Sequence, residues 1–427
     1  MRFIRDYIDP EYMPTDEDLI ALFRLEPANG VSFEEAAGKV ASESSNGTWT
    51  EVVTMKPHIK KLSAKAFWFN PPWVKIAYPK EIFEEGNMSQ ILSSIAGNIF
   101  GMKAVRNLRL EDVYWPPNII SSFKGPKYGL AGVRDVFKVY DRPLLATVPK
   151  PKVGLTTDEY SETAYQIWVG GVDLVKDDEN LTSQSFNKFR DRLDRLMKIR
   201  DKVEKETGEK KSYLVNITAP YNEMVKRAKI VEDYGNEFVM IDILTVGWSA
   251  LQSFVNEGFN LRIHAHRAFH AAFTRNKKHG MSMKVVAEIS RLLGVDEIHV
   301  GTVVGKLVSP YSEVNALTKI LRENETDENF KLKLLKKKWP NIKPVFPVSS
   351  GGLHPGLIPQ IYRIFGKDVI IQAGGGVTGH PNGVMAGAKA FRASVEAVVN
   401  DIPLEDMATR EKELRVALEH WGYKTYA

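Results

Sequence analysis

RPLLATVPKPKVGLTTDEYSETAYQIWVGGVDLVKDDE (142–179) holds two short apolar runs on either side of an amphipathic segment. RPLLATV (142–148) and GGVDLVK (170–176) have the length and apolar density of buried strands. TTDEYSETAYQI (156–167) between them has helical spacing. The pattern then repeats. Further strand candidates are SYLVNIT (212–218), FVMIDIL (238–244), LRIHAH (261–266), EIHVGT (297–302), PVFPVSS (344–350) and VIIQAGG (369–375). Helical candidates between them include NKFRDRLDRLMKIRDKVEKE (187–206) and SMKVVAEISRLLG (282–294). Eight alternations of strand and helix in about 235 residues predict a (β/α)8 TIM barrel. A doubly wound open sheet is the alternative, and the count of eight favours the barrel.

Upstream the pattern is different. DEDLIALFRLEP (16–27) ends as a strand candidate and WVKIAYP (73–79) alternates like a strand. SFEEAAGKVASES (32–44) has helical spacing with Ser32 as N-cap, and NMSQILSSIAGNIFGM (87–102) reads as a helix. The predicted fold class is therefore α/β: a smaller N-terminal α+β domain over 1–135 and a TIM-barrel catalytic domain with C-terminal helices over 136–427. Residues 383–421 are expected to be helical decoration, and the basic run KLKLLKKKWPNIK (331–343) a solvated helix end.

Composition narrows the chemistry. The 58 basic and 53 acidic residues leave a net charge of +5, spread along the chain, so no concentrated patch argues for nucleic acid. There is no cysteine, which excludes disulfides and thiolate chemistry and leaves oxygen or imidazole as metal ligands. No apolar h-region opens MRFIRDYIDPEY, and no run of about 18 apolar residues exists to span a membrane. The cytoplasm is the expected location.

TIM barrels do their chemistry at the C-terminal strand ends, and the reactive residue types gather there. The first strand ends in Lys150-Pro151-Lys152 and the second in Lys176-Asp177-Asp178-Glu179. The fifth ends in His264, His266 and Arg267; the sixth carries His299 and is followed by Lys306. The seventh ends in Ser350-Gly351-Gly352 and the eighth in Gly374-Gly375-Gly376. KDDE alone is usually a solvated charge run. At a strand end, two-residue alternation puts Lys176 and Asp178 on one face, and Asp178 with Glu179 can offer hard oxygen ligands to Mg²⁺. A lysine beside a metal makes sense only if its charge is removed or inverted, as carbamylation by CO₂ would do. HAHRAFH (264–270) can be read as a zinc site, but its spacing matches no standard pattern, and Arg267 better suits a phosphate or an oxyanion. The glycines after the last two strands suit phosphate held by backbone N–H groups. Gly301-Thr-Val-Val-Gly305-Lys306-Leu307 reads either as a lid delivering a cation or as an ordinary surface loop.

At these residues the chain resembles the ribulose-1,5-bisphosphate carboxylase/oxygenase (RuBisCO) large-subunit family, from about residue 16 to about 400. The resemblance rests on ESSNGTWTEV (43–52), SIAGNIFGMKAVRNLRLED (94–112), KPKVGL (150–155), GGVDLVKDDENLTSQSF (170–186), HAHRAFHAAFTR (264–275), HVGTVVGKL (299–307), PVSSGGLHPG (347–356) and IQAGGGVTGHPNG (371–383). The lack of long insertions and TVPKPKVG (147–154) resemble the archaeal form III branch.

The resemblance implies a role for each matching residue. Lys176 resembles the lysine carbamylated by an activating CO₂, which with Asp178 and Glu179 would hold Mg²⁺. Lys150 resembles the acid/base lysine beside the reacting carbon. The carbamate oxygen or Lys150 would take the C3 proton of ribulose-1,5-bisphosphate to give an enediol. CO₂ then adds at C2, and hydration and cleavage give two 3-phosphoglycerates; O₂ would compete in an oxygenase side reaction. Lys306 resembles the lid lysine that stabilises the new carboxylate, and Lys152 and His266 residues that orient the centre. Arg267, His299 and Ser350 resemble one phosphate site. Thr48, Trp49, Gly352, Gly374 and Gly375 resemble the other, with Gly351 in the same glycine turn. Glu43, Thr48, Trp49 and Asn98 would reach the neighbouring subunit's barrel. A homodimer with shared active sites is therefore implied, with rings of dimers allowed and no small subunit expected.

Val148 departs from the threonine of the plant-type enzyme, and Leu174 from a phenylalanine common in the metal strand. The chain after Trp421 is short for a tail that latches a closed lid. The form III resemblance favours a place in nucleotide (AMP) ribose salvage. The competing enzyme reading is a RuBisCO-like enolase or isomerase of sulfur salvage, which typically replaces the lid lysine and part of the TWT segment; both are retained here. A non-catalytic phosphate-binding barrel would have no need of Lys150, Lys176 and Lys306 together.

Overall fold

The computed structural model describes residues 3–306 and 309–423. Each of the eight apolar runs forms a strand: β5 (Leu144–Thr147), β6 (Leu174–Lys176), β7 (Ser212–Asn216), β8 (Phe238–Asp242), β9 (Arg262–His266), β11 (Glu297–His299), β14 (Phe346–Ser350) and β15 (Ile370–Ala373). They pair in parallel and in this order, and β15 returns to β5, which closes the barrel. The open-sheet alternative is thereby excluded. The helices stop and start where local chemistry dictates. Thr156 caps Thr157–Val169 with a full capping box to Glu159, and Gly208, in the left-handed region, ends Phe189–Thr207. The decoration after β15 comprises Val384–Val399, Leu404–Arg410 and Lys412–Trp421. Leu307 of the lid motif and the chain beyond Tyr423, on which the latch reading fell, lie outside the described residues.

The chain forms two compact units. One comprises 126–268, 294–322 and 343–427 and contains the barrel. The other comprises 1–125, 269–293 and 323–342.

In the barrel unit, period-two alternation separates two kinds of interior. Leu144, Ala146, Leu174, Leu214, Phe238, Phe346, Val348 and Ile370 form an apolar plug that closes on Phe137 and Val133 of the helix Gly129–Phe137. Two residues further along these strands the parity delivers Lys176, Asn216, Met240 and Ser350 to the same side. At the opposite strand ends, Arg142 grips Asp173 through two 2.7 Å hydrogen bonds, and Asp173 also accepts from the Leu145 amide at 2.8 Å. This ion pair lies at the end of the barrel away from the lysines.

The other unit is built on a five-stranded sheet of β1 (Leu19–Pro27), β2 (Lys65–Asn70), β3 (Trp73–Tyr78), β4 (Val105–Tyr114) and β10 (Gly280–Met281), ordered β10-β4-β1-β3-β2. Phe33–Glu43 is helical, and Ser32 caps it by accepting from the Glu35 amide at 3.1 Å. The helix expected over 87–102 ends at Ile95, and a 3-10 turn follows at Asn98–Gly101. The break falls at Gly97, where a side chain would meet the Ser93 carbonyl.

The basic run 331–343 is not a helix end. It contains the short strand β13 (Lys337–Lys338), and Leu334, Leu335, Trp339 and Ile342 are buried. Lys337 is buried too, with Asp112 Oδ2 and Glu288 Oε1 each 2.9 Å from its Nζ. The two carboxylates offset the cost of removing an ammonium from water, which is why a lysine can sit here. Lys337→Ala is expected to strip this pairing and cost about 3–5 kcal/mol in a urea or thermal unfolding curve. Lys338→Ala, one residue on and exposed, should cost little.

Candidate active site

Lys176 is the last residue of β6 and is fully buried. Its Nζ donates to the Asp177 carbonyl at 2.8 Å. Burial holds its ammonium below the ordinary lysine range, against the pull of Glu179, Asp242, Asp178 and Asp177. The next three residues then divide. Asp177 accepts from the hydroxyls of Tyr160 (2.8 Å) and Tyr213 (2.5 Å), the Asn216 amide (2.9 Å) and Arg192 (3.1 Å). It is a structural anchor. Asp178 Oδ2 instead accepts from Lys150 Nζ at 2.7 Å, and Glu179 Oε1 from Lys152 Nζ at 3.1 Å. Burial tends to raise the Glu179 carboxyl, but His266, Lys176 and Lys152 outweigh it and hold it down to about 2. Asn216 Nδ2 reaches the carbonyls of Asp178 and Glu179, both at 3.3 Å, and so fixes the turn that presents them.

β8 and β9 carry the next pair. Asp242 Oδ1 lies 3.0 Å from His266 Nδ1, and His266 Nε2 points at Glu179 Oε2 at 3.7 Å. Burial and the charge of Lys176 lower the His266 pKa, while Asp242 and Glu179 oppose them. The three histidines of HAHRAFH have separate partners: His264 faces His299, His266 faces Asp242, and His270 faces Thr274 Oγ1. A shared zinc site is not formed by them. Arg267 is buried, which pushes its guanidinium down to about 10 against the pull of Glu313. His299 Nδ1 meets Ser350 Oγ at 2.6 Å.

The segment Gly301–Lys306 leans on the turn after β14. Lys306 N donates to the Gly351 carbonyl at 3.0 Å. A side chain at Gly305 would overlap that carbonyl, and one at Gly352 would press on the Lys306 stem. Glycine is required at both for the two loops to approach. After β15, a Cβ on Gly374 would lie 2.9 Å from Lys150 Cε. Gly374 therefore clears the path that Lys150 takes to Asp178, and Gly375 begins the helical turn Gly375–Thr378. Gly374→Ala is expected to push Lys150 off Asp178 and lower turnover roughly 100-fold, as small misplacements of a reacting group do. Steady-state kinetics with an unchanged melting temperature would verify this.

In the other unit, Glu43, Thr48, Trp49 and Asn98 line one cavity of ≈ 660 Å³. Trp49 is 83% exposed, an unusual state for a tryptophan with no partner to cover it.

Some residues that build the site were not singled out from the sequence. Asp177, Asn216 and Asp242 each orient a neighbour, and Glu297 lies behind His264 at 3.2 Å. For Asn216, Asp242 and Glu297 a signal was available: a polar residue in an otherwise apolar strand, in phase with the interior.

A closed parallel barrel with lysines, carboxylates and histidines at its C-terminal strand ends defines a TIM-barrel enzyme. The model of the ribulose bisphosphate carboxylase large chain catalytic domain matches residues 129–421, and that of its N-terminal domain matches 6–119. The chain belongs to the ribulose bisphosphate carboxylase large-chain family. It is 51% identical over 424 residues to a ribulose bisphosphate carboxylase of Pyrococcus abyssi, covering 98% of this chain and 96% of that one. Among solved structures, the dimeric archaeal Rubisco from Hyperthermus butylicus superposes with a TM-score of 0.93 at 51% identity, covering 98% of this chain and 99% of that one. The octameric enzyme from Pyrococcus horikoshii, solved with sulfate ion, has a TM-score of 0.92 at 49% identity, covering 99% and 98%. No described helix is long and apolar enough to cross a membrane.

Proposed function

We propose that the chain carboxylates ribulose-1,5-bisphosphate, with oxygenation as a side reaction. The observation that carries this reading is a fully buried lysine, Lys176, flanked by two carboxylates that each hold the ammonium of a further lysine. Neutral Lys176 Nζ attacks the carbon of CO₂, an N–C bond forms, one proton leaves, and the neutral amine becomes an anionic carbamate. The donor set fits a hard divalent cation: two oxygens from the carbamate, with Asp178 and Glu179 beside it. The lysines now on Asp178 and Glu179 stand in for the positive charge such a cation would bring. Mg²⁺, when bound, would supply the charge that stabilises an oxyanion on the substrate.

The chain's own groups do the rest. The carbamate oxygen or Lys150 removes the C3 proton to give the enediol. C2 bonds to the carbon of CO₂, water adds at C3, the C2–C3 bond breaks with its electron pair going to C2, and C2 takes up a proton, which gives two 3-phosphoglycerates. His266, held by Asp242, orients the centre, and Lys152 steadies Glu179. Arg267, His299 and Ser350 would bind one phosphate. Gly351, Gly352, Gly374 and Gly375, with Thr48 and Trp49 from a second copy, would bind the other. Glu43 and Asn98 of that copy complete the site, so the working unit is a homodimer or a ring of dimers. The route served is nucleotide ribose salvage.

The test is ribulose bisphosphate-dependent incorporation of labelled CO₂ into acid-stable product, anaerobically, with and without preincubation in bicarbonate and Mg²⁺. Incorporation that depends on preincubation is the expected result. A folded, dimeric protein that incorporates nothing would instead favour the enolase-type chemistry.

A further inference from the structure

Glu297 is fully buried in the first position of β11, and neither of its carboxylate oxygens has a well-formed hydrogen bond. Such a group is costly unless something uses it. Its Oε1 lies 3.2 Å from His264 Nδ1, close enough for a hydrogen bond but imperfectly aligned. Beyond it the contacts are continuous: His264 Nε2 to His299 Nε2 at 2.8 Å, then His299 Nδ1 to Ser350 Oγ at 2.6 Å. Two parallel neighbours of β11 supply this row, since Glu297 is in register with His264 on β9, and His299 with Val348 on β14.

A row of neutral imidazoles has only two self-consistent directions, because each ring carries one N–H. In the first, a protonated Glu297 donates to His264 Nδ1, His264 Nε2–H donates to His299 Nε2, and His299 Nδ1–H donates to Ser350 Oγ. The serine O–H is then free to point outward. In the second, His264 Nδ1–H donates to an ionised Glu297 and every bond reverses. Ser350 then spends its proton on His299 and offers an anion only lone pairs.

We propose that Glu297 is a positioning residue that sets the direction of this row, so that Ser350 presents its O–H to an anionic group of the substrate. The inference rests on the assignment of Ser350 to that group. Burial, helped by Asp296 and opposed by Lys176, keeps the Glu297 carboxyl well above the usual carboxylate range. Burial likewise keeps His264 and His299 well below the usual imidazole range. A neutral Glu297 that donates its O–H gives the first direction; the second either leaves that buried O–H without an acceptor or requires a buried carboxylate anion.

Glu297→Gln retains an N–H that can donate to His264, whereas Glu297→Met keeps the volume but offers no donor. KM for ribulose bisphosphate is expected to stay within about twofold for E297Q and to rise about tenfold for E297M, the size of effect a misdirected hydrogen bond to a charged group has. Ser350→Ala should match E297M. Selective ¹⁵N-histidine NMR of the unmodified enzyme should place the His264 proton on Nε2. The proposal is overturned if E297M leaves KM unchanged while S350A raises it, if E297Q is as impaired as E297M, or if His264 carries its proton on Nδ1. An unaffected S350A would show instead that Ser350 does not meet the substrate, and the proposal would fall with that assignment. The NMR and E297Q results decide the matter even if E297M does not fold.

Discussion

Replacing Lys176 with Met is expected to lower carboxylation at least about 1,000-fold, the scale on which losing a metal or oxyanion stabiliser acts. The same protein should take up no activating CO₂. The fold should survive, and the magnitudes say why. Met keeps most of the buried methylene volume, so little cavity is left behind. The Asp177 carbonyl loses its hydrogen bond from Nζ, worth about 1 kcal/mol. Against these stands the removal of an ammonium whose burial already disfavours its charge. Asp178 and Glu179 are not orphaned, because Lys150 and Lys152 remain on them. A native-like circular dichroism spectrum and melting temperature with no turnover is the expected pair of results. Normal turnover would sink the carbamate assignment. An unfolded variant would mean that the lysine's contact with Asp177 holds the strand end together.

How far the sequence anticipates this centre depends on parity. Leu174 lies in the apolar plug, so Lys176 must face the same way and Val175 the other. Alternation then distinguishes Asp178 from Asp177, although both are aspartates in one charge run. It does not foretell that Asp177 would be held by Tyr160, Tyr213 and Arg192, because those partners come from two helices and another strand. The same parity from Phe346 leads to Ser350, and the alternation within EIH makes Glu297 a companion of His299. Glu43, Thr48, Trp49 and Asn98 are a different case. They come from a helix end, a loop and a 3-10 turn whose spacing carries no chemical signal, so only resemblance singles them out. The basic run at 331–343 misled for a simple reason. Lysine is solvated unless carboxylates meet it, and Asp112 and Glu288 are far away in sequence. Periodicity also cannot say which core a helix joins. Met283–Leu293, with every residue buried, lies within the unit built on β1–β4.

Lys306→Ala should separate the two halves of the reaction. Lys306 is exposed, and its side chain extends from a loop held by the Gly351 carbonyl. It is not among the main charges that act on Lys176, Glu179 or His266. Proton removal from C3 should therefore proceed within a few-fold of normal, because the groups proposed for that step are untouched. Addition of CO₂ is different. A carboxylate forms where none existed, and an ammonium aimed at developing charge in a water-poor site is worth about 3–4 kcal/mol, or roughly 100- to 1,000-fold in rate. Wash-out of tritium from C3 of the substrate measures the first step, and fixation of labelled CO₂ the second, in the same preparation. Retained wash-out with lost fixation is the expected result. Equal loss of both would mean that Lys306 acts before the enediol, by binding substrate or ordering the loop, since a residue needed only for the later step cannot slow the earlier one.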